Sequence, residues 1–271
     1  MFRLALPLAL LSMMICSGLS YATPHKKPLH HHPRHVKIIK HSKTVIKKKA
    51  IKKPTKPLRA RALLIPPTSF IAPVQNDLVD FVRKTVNTLH YSRYKLGGAH
   101  FDTDRGVYIV DCSNFVDHIL QEISPHAYSS LVNYSGSYSP ATQHYYEFFA
   151  ELTDNPDSYW NTVENLDDLK PGDILVFRKK NSRGRSTSGH IMVVMNKPIR
   201  DTNVYSVRVA DSAPARHSQD TRKPFKGGIG IGTLLLKANP KTGKPAAYAW
   251  GVGGSWNKNA AFAMARPMDV D

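Results

Sequence analysis

Cysteine is almost missing from this chain: Cys16 and Cys112 are the two among 271 residues. One bridge at most could form, so a disulfide framework is excluded, and no Cys/His set has the spacing of a zinc site. Long apolar runs are missing as well. The N-terminal stretch "LALPLALLSMMIC" (4–16) is too short to cross a bilayer. With Arg3 ahead of it and "SYA" behind it, it reads as a secretory signal peptide over residues 1–22. Ser20 and Ala22 put small side chains three and one before a cut after Ala22. Cys16 then leaves with the signal. A lipid anchor on Cys16 would need a small residue before it, where Met13, Met14 and Ile15 stand. The mature chain is therefore expected to be secreted or periplasmic, with a single thiol and no internal disulfide.

Acidic residues are absent from Thr23 to Arg61, where eleven Lys, three Arg and six His occur. That segment holds +14 of the formal +18, and residues 62–271 carry only +3. With little to bury and strong self-repulsion, residues 23–66 are expected to be a disordered basic arm. Such an arm suits anionic envelope polymers or lipid headgroups; export makes nucleic acid a poorer fit, and a solvated spacer is the plain alternative. No metal and no cofactor is expected. "HHHPRH" lacks a structured second set of ligands, and "DTDRG" (102–106) starts like a calcium loop but lacks the closing glutamate. "GGIGIG" (227–232) has the wrong spacing for a dinucleotide turn and runs into the strand-like "TLLLKAN".

Beyond the arm, "NDLVDFVRKTVNTLH" has helical apolar spacing with Asn76 or Asp77 as its cap, and Pro73 keeps a helix from starting before Val74. A second helix is expected after Asp111, where Phe115, Val116, Ile119, Leu120 and Ile123 recur at helical intervals. "TQHYYEFFAEL" gives a third, as a lid or an added core helix. Strand patterns follow at 173–178, 190–195, 204–210, 229–236, 246–251 and 260–266. Helices first and strands after imply an α+β domain with helices packed on an antiparallel sheet of about five or six strands.

Cys112 falls at the first turn of the second helix, where unpaired N–H groups and the helix dipole favour a thiolate. A nucleophilic thiol needs a base. His190 is the histidine that opens a strong strand, "HIMVVM", just after the turn-like "NSRGRSTSG". On the next strand the two-residue period puts Asp211 on the same face as Val207 and Val209, where a carboxylate needs a partner such as an imidazole. His217, six residues further on, is a rival for the role of orienting His190.

In order and spacing these residues resemble the NlpC-type cell-wall cysteine peptidases, a secreted papain-like family with circularly permuted topology. The resemblance covers roughly residues 75–266 and rests on "YKLGGAHF", "DCSNFV", "LKPGDILVF", "GHIMVVM" and "AFAMARP". It implies a papain-like catalytic domain over residues 67–271, with Cys112 as nucleophile, His190 as base and Asp211 as the third polar residue. It also implies that Tyr94, Asp111 and Ser113 line the substrate site, and that the substrate is a peptidoglycan stem peptide cut at a D-glutamyl to diaminopimelate bond. Two features depart from the family: Asn114 stands where a glycine is usual, and the third position is more often His, Asn or Gln. The alternatives are amide cleavage or acyl transfer on another substrate, and a non-catalytic envelope-binding module.

Overall fold

The computed structural model describes residues 74–268 other than 182, 183 and 185, so the expected signal peptide and basic arm lie outside the described residues. Helix α1 (Val74–Asn87) starts two residues before the cap read at Asn76. Asp77 falls inside the first turn, where its charge faces the helix dipole. Three four-residue strands follow, β1 (Tyr91–Tyr94), β2 (Ala99–Asp102) and β3 (Val107–Val110). They form a small sheet in the order β1-β3-β2, with β1 parallel to β3 and β2 antiparallel to it. The expected run of helices before any strand is corrected here. β1 and β2 are short and keep side chains such as Arg93 in solvent, and β3 is only four residues long, so none gives a period long enough to read.

Helices α2 (Cys112–Ile123), α3 (Pro125–Ser135) and α4 (Thr142–Glu151) come next. α2 packs against α1, α3 and the large sheet, and Cys112 through Leu120 are buried. Removing Phe115, Val116, Ile119 and Leu120 from water contributes about 1.5–3 kcal/mol each, which makes α2 the anchor of the helical layer. α4 buries Tyr145, Phe148 and Phe149 and is therefore a core helix.

The large sheet holds eight strands, more than the five or six expected. They are β4 (Trp160–Thr162), β5 (Ile174–Lys180), β6 (Ser186–Val194), β7 (Ile199–Asp201), β8 (Val204–Ala213), β9 (Gly228–Ala238), β10 (Pro245–Ala249) and β11 (Ala260–Pro267). The order is β10-β9-β8-β6-β5-β11-β4, with β7 beside β8, and every neighbouring pair is antiparallel. β4 and β7, three residues each, are too short to show a period. The sheet separates two cores. Ile174, Val176, Ile191, Val193 and Ala210 face the helices, whereas Leu175, Phe177, Met192, Val194, Val207 and Val209 face away from them. On that second side the sheet curls, so that Tyr248 of β10 stacks on Phe177 of β5 with ring centroids 4.2 Å apart. The described residues are thus an α+β unit with helices on a large antiparallel sheet. No helix among them is long and apolar enough to cross a membrane.

Candidate active site

Asp111 caps α2 by accepting the Asn114 N–H at 2.9 Å, and this cap sets where Cys112 stands. The same carboxylate accepts from the Ser113 hydroxyl at 3.1 Å, the Asn114 amide at 3.1 Å and the Gly97 N–H at 2.8 Å. Asp111 thereby ties the helix start to the β1–β2 turn, which places Tyr94 by the site. Ser113 turns its hydroxyl into this cap. Asn114 accepts from the Ser139 hydroxyl at 2.7 Å and so pins the α3–α4 loop to the same spot. The first N–H groups of α2, those of Cys112 and Ser113, lie where no intrahelical acceptor exists.

The sheet brings the other partners. β6 and β8 pair only at Val193↔Ala210 and Val194↔Val209, and before Val193 no pairing joins them. In that gap the Ile191 N–H is left to bond the Cys112 thiol, and the His190 and Asp211 side chains turn toward each other. His190 Nε2 lies 2.5 Å from Asp211 Oδ2, which leaves Nδ1 as the ring atom for the thiol. Thr142, the first residue of α4, sets its hydroxyl 3.6 Å from Cys112 Sγ. Gly189 makes room for that approach, since a Cβ there would lie 2.8 Å from the Thr142 methyl and 2.8 Å from the Phe177 carbonyl oxygen. The Trp250 ring closes the other side, edge-on to His190 at 5.1 Å.

Electrostatics favour an ion pair. Burial would raise the Cys112 thiol, but the charge of His190 and hydrogen bonds from His190, Thr142 and the Ile191 N–H bring it below its ordinary value. Burial would lower His190, yet the Cys112 charge and its bonds to Asp211 and Cys112 carry it up to about 10. A lowered thiol beside a raised imidazole favours the thiolate–imidazolium form of the pair. Tyr94 is pushed up to about 12, by burial first and then by the charges of Cys112 and Asp111, so its hydroxyl keeps its proton beside the nucleophile.

Of the sequence-based candidates, Cys112, His190 and Asp211 come together, with Tyr94 and Asp111 beside them. His217 does not touch His190; it bonds Asp211 from behind, with Nε2 at 2.9 Å from the same Oδ2. Arg222 donates to the other carboxylate oxygen at 2.9 Å and to Asp220 at 2.6 Å. The charges of His217 and Arg222, with hydrogen bonds from His190 and His217, outweigh burial and hold Asp211 well below the usual carboxylate range.

Thr142, Trp250, Asp220 and Arg222 were not legible as site residues. One signal did exist, in the glycines of "GGIGIG". A Cβ at Gly230 would lie 2.6 Å from Arg222 Nε, and one at Gly232 2.6 Å from Asp220 Oδ2, so alternate glycines on β9 give the loop carrying His217, Asp220 and Arg222 its seat. Among the described residues no group of three or more His, Cys, Asp or Glu is arranged to hold a metal ion. No protein-family model, curated protein or solved structure matches the chain.

Proposed function

We propose that the chain is a secreted cysteine hydrolase of papain-like, NlpC-type character that cleaves peptide or amide bonds in peptidoglycan stem peptides, at a D-glutamyl to diaminopimelate link. The observation that carries the chemistry is the thiol at the start of a buried helix, paired with an imidazole whose far nitrogen is held by a buried carboxylate. The sequence resemblance carries the substrate, and the signal-like N-terminus carries the location.

In the proposed reaction the Cys112 thiolate attacks the scissile carbonyl carbon, forming the S–C bond. The negative charge moves to the carbonyl oxygen, where the N–H groups of Cys112 and Ser113 stabilise it. His190 gives its proton to the leaving amine as the C–N bond breaks, leaving a thioester. A water then loses its proton to His190, attacks the thioester and releases the acyl group, restoring the thiolate. Asp211 fixes the imidazole orientation and stabilises its charged form throughout. The arm over residues 23–66 contributes retention on anionic envelope material by charge alone.

Incubating purified muropeptides with the protein and weighing the fragments tests this reading. The expected result is a mass gain of one water at one peptide bond, absent with Cys112→Ser and His190→Ala. Unaltered turnover by Cys112→Ser contradicts the mechanism; intact muropeptides with an alkylatable, activated thiol contradict the substrate alone.

A further inference from the structure

Asp211 meets more donors than the orientation of one imidazole requires. Its Oδ2 faces Nε2 of His190 and Nε2 of His217, and its Oδ1 faces Arg222. The second ring nitrogen of His217, Nδ1, lies 2.9 Å from the Trp250 carbonyl oxygen. Neither a carboxylate nor a carbonyl can donate. With Asp211 ionised, both nitrogens of His217 must carry protons, and the ring is an imidazolium sealed from solvent, its side chain 0% exposed.

Stacking agrees with that assignment. The His217 ring stacks on Trp250 at 4.2 Å with planes 29° apart, a contact in which a cation gains from the π face. The groups around it are Asp211 on β8, Asp220 and Arg222 on its own loop, Trp250 beyond β10, and His190 on β6 across Asp211. Asp220 also accepts the His217 backbone N–H at 2.7 Å. Gly232 of β9 adds no side chain. Loss of one proton from His217 would set a lone pair against Asp211 or against the Trp250 carbonyl.

We propose that His217 is a doubly protonated positioning residue: clamped between Asp211 and the Trp250 carbonyl, it holds the carboxylate that orients His190. The proposal rests on the hydrolase reading for its kinetic consequence but not for its protonation state.

The full chain with 15N-labelled histidine, assigned by the loss of one ring in His217→Phe, gives the first readout by NMR at neutral pH. Both His217 nitrogens are expected to be protonated; a single-proton tautomer, with the proton shared onto Asp211, overturns the proposal. The second readout is muropeptide hydrolysis, with kcat normalised to titrated thiol. His217→Phe, which keeps the stack on Trp250, and His217→Gln should each lower kcat about tenfold or more and leave KM within about twofold. A role in folding alone would lower the active fraction and leave kcat per thiol unchanged, and that result overturns the proposal. Wild-type protein without any hydrolysis contradicts the hydrolase reading, while the NMR readout still decides the protonation of His217.

Discussion

Asp211 and Asp117 are both buried carboxylates, at 0% and 3% exposure, and they are held in opposite charge states. Asp211 faces two imidazoles and a guanidinium and stays ionised far into acid. Asp117, on α2 five residues after Cys112, accepts from the Tyr145 hydroxyl at 2.6 Å, and no cation reaches it among the described residues. Burial drives it up to about 8, so at neutral pH it carries a proton. Depth of burial therefore does not set charge; the cations within reach do. The contrast suits the site, since an ionised Asp117 would add a second negative charge near the thiolate, while an un-ionised Asp211 would leave His190 unheld.

Asp211→Ala should have the greatest consequence. It leaves Arg222 and His217 buried without their shared counter-ion, a cost of about 3–5 kcal/mol in urea unfolding along with loss of hydrolysis. Asp211→Asn should retain partial activity and lose less stability, because its amide oxygen can still accept from His190 while its NH2 faces Arg222. Arg222→Met should cost about 2–4 kcal/mol, since Asp211 keeps two donors and Asp220 keeps its backbone N–H bonds. If Arg222→Met were neutral, three-fold clamping of Asp211 would be the wrong account.

Asp117→Asn should act in the opposite sense. A carboxyl whose folded value is raised contributes stability at pH below its unfolded value of about 4, and that contribution is lost as pH rises toward about 8. The variant should therefore match the wild type near pH 4 and exceed it by about 1–2 kcal/mol at pH 9. A pH-independent difference in thermal unfolding would mean that Asp117 is ionised throughout. A smaller change is expected from Thr142→Val, which removes one hydrogen bond to Sγ, about 0.5–1.5 kcal/mol, and should slow thiol alkylation near neutral pH several-fold.

The same contrast separates what could be read along the chain from what could not. α2, its Asp111 cap and the place of Cys112 follow from local spacing, as do the six longer strands. Asp211 could be marked because its strand period sets it among Val207 and Val209, and all three are buried. Two of the donors that fix its charge, His217 and Arg222, come from a loop after β8, with the Trp250 carbonyl after β10 facing His217 from behind, and no local pattern announces a loop that folds back over a strand. β1 and β2 escaped because four-residue, largely exposed strands have no apolar period, and β3 because its apolar run of four is too short to set apart from the helix that follows; one of their pairings is parallel. Asp117 lies on the buried, apolar stretch of α2, and only the tertiary neighbourhood shows that hydroxyls and no cation reach it.

The pH dependence of iodoacetamide alkylation at Cys112 bears on the whole account, because it reads the thiolate without assuming a substrate. The rate should rise with a midpoint well below the ordinary thiol value of about 8.5 and return toward that value in His190→Gln. A wild-type midpoint at or above about 8.5, unmoved by His190→Gln, would contradict an activated Cys112–His190 pair and with it the hydrolytic reading of the site.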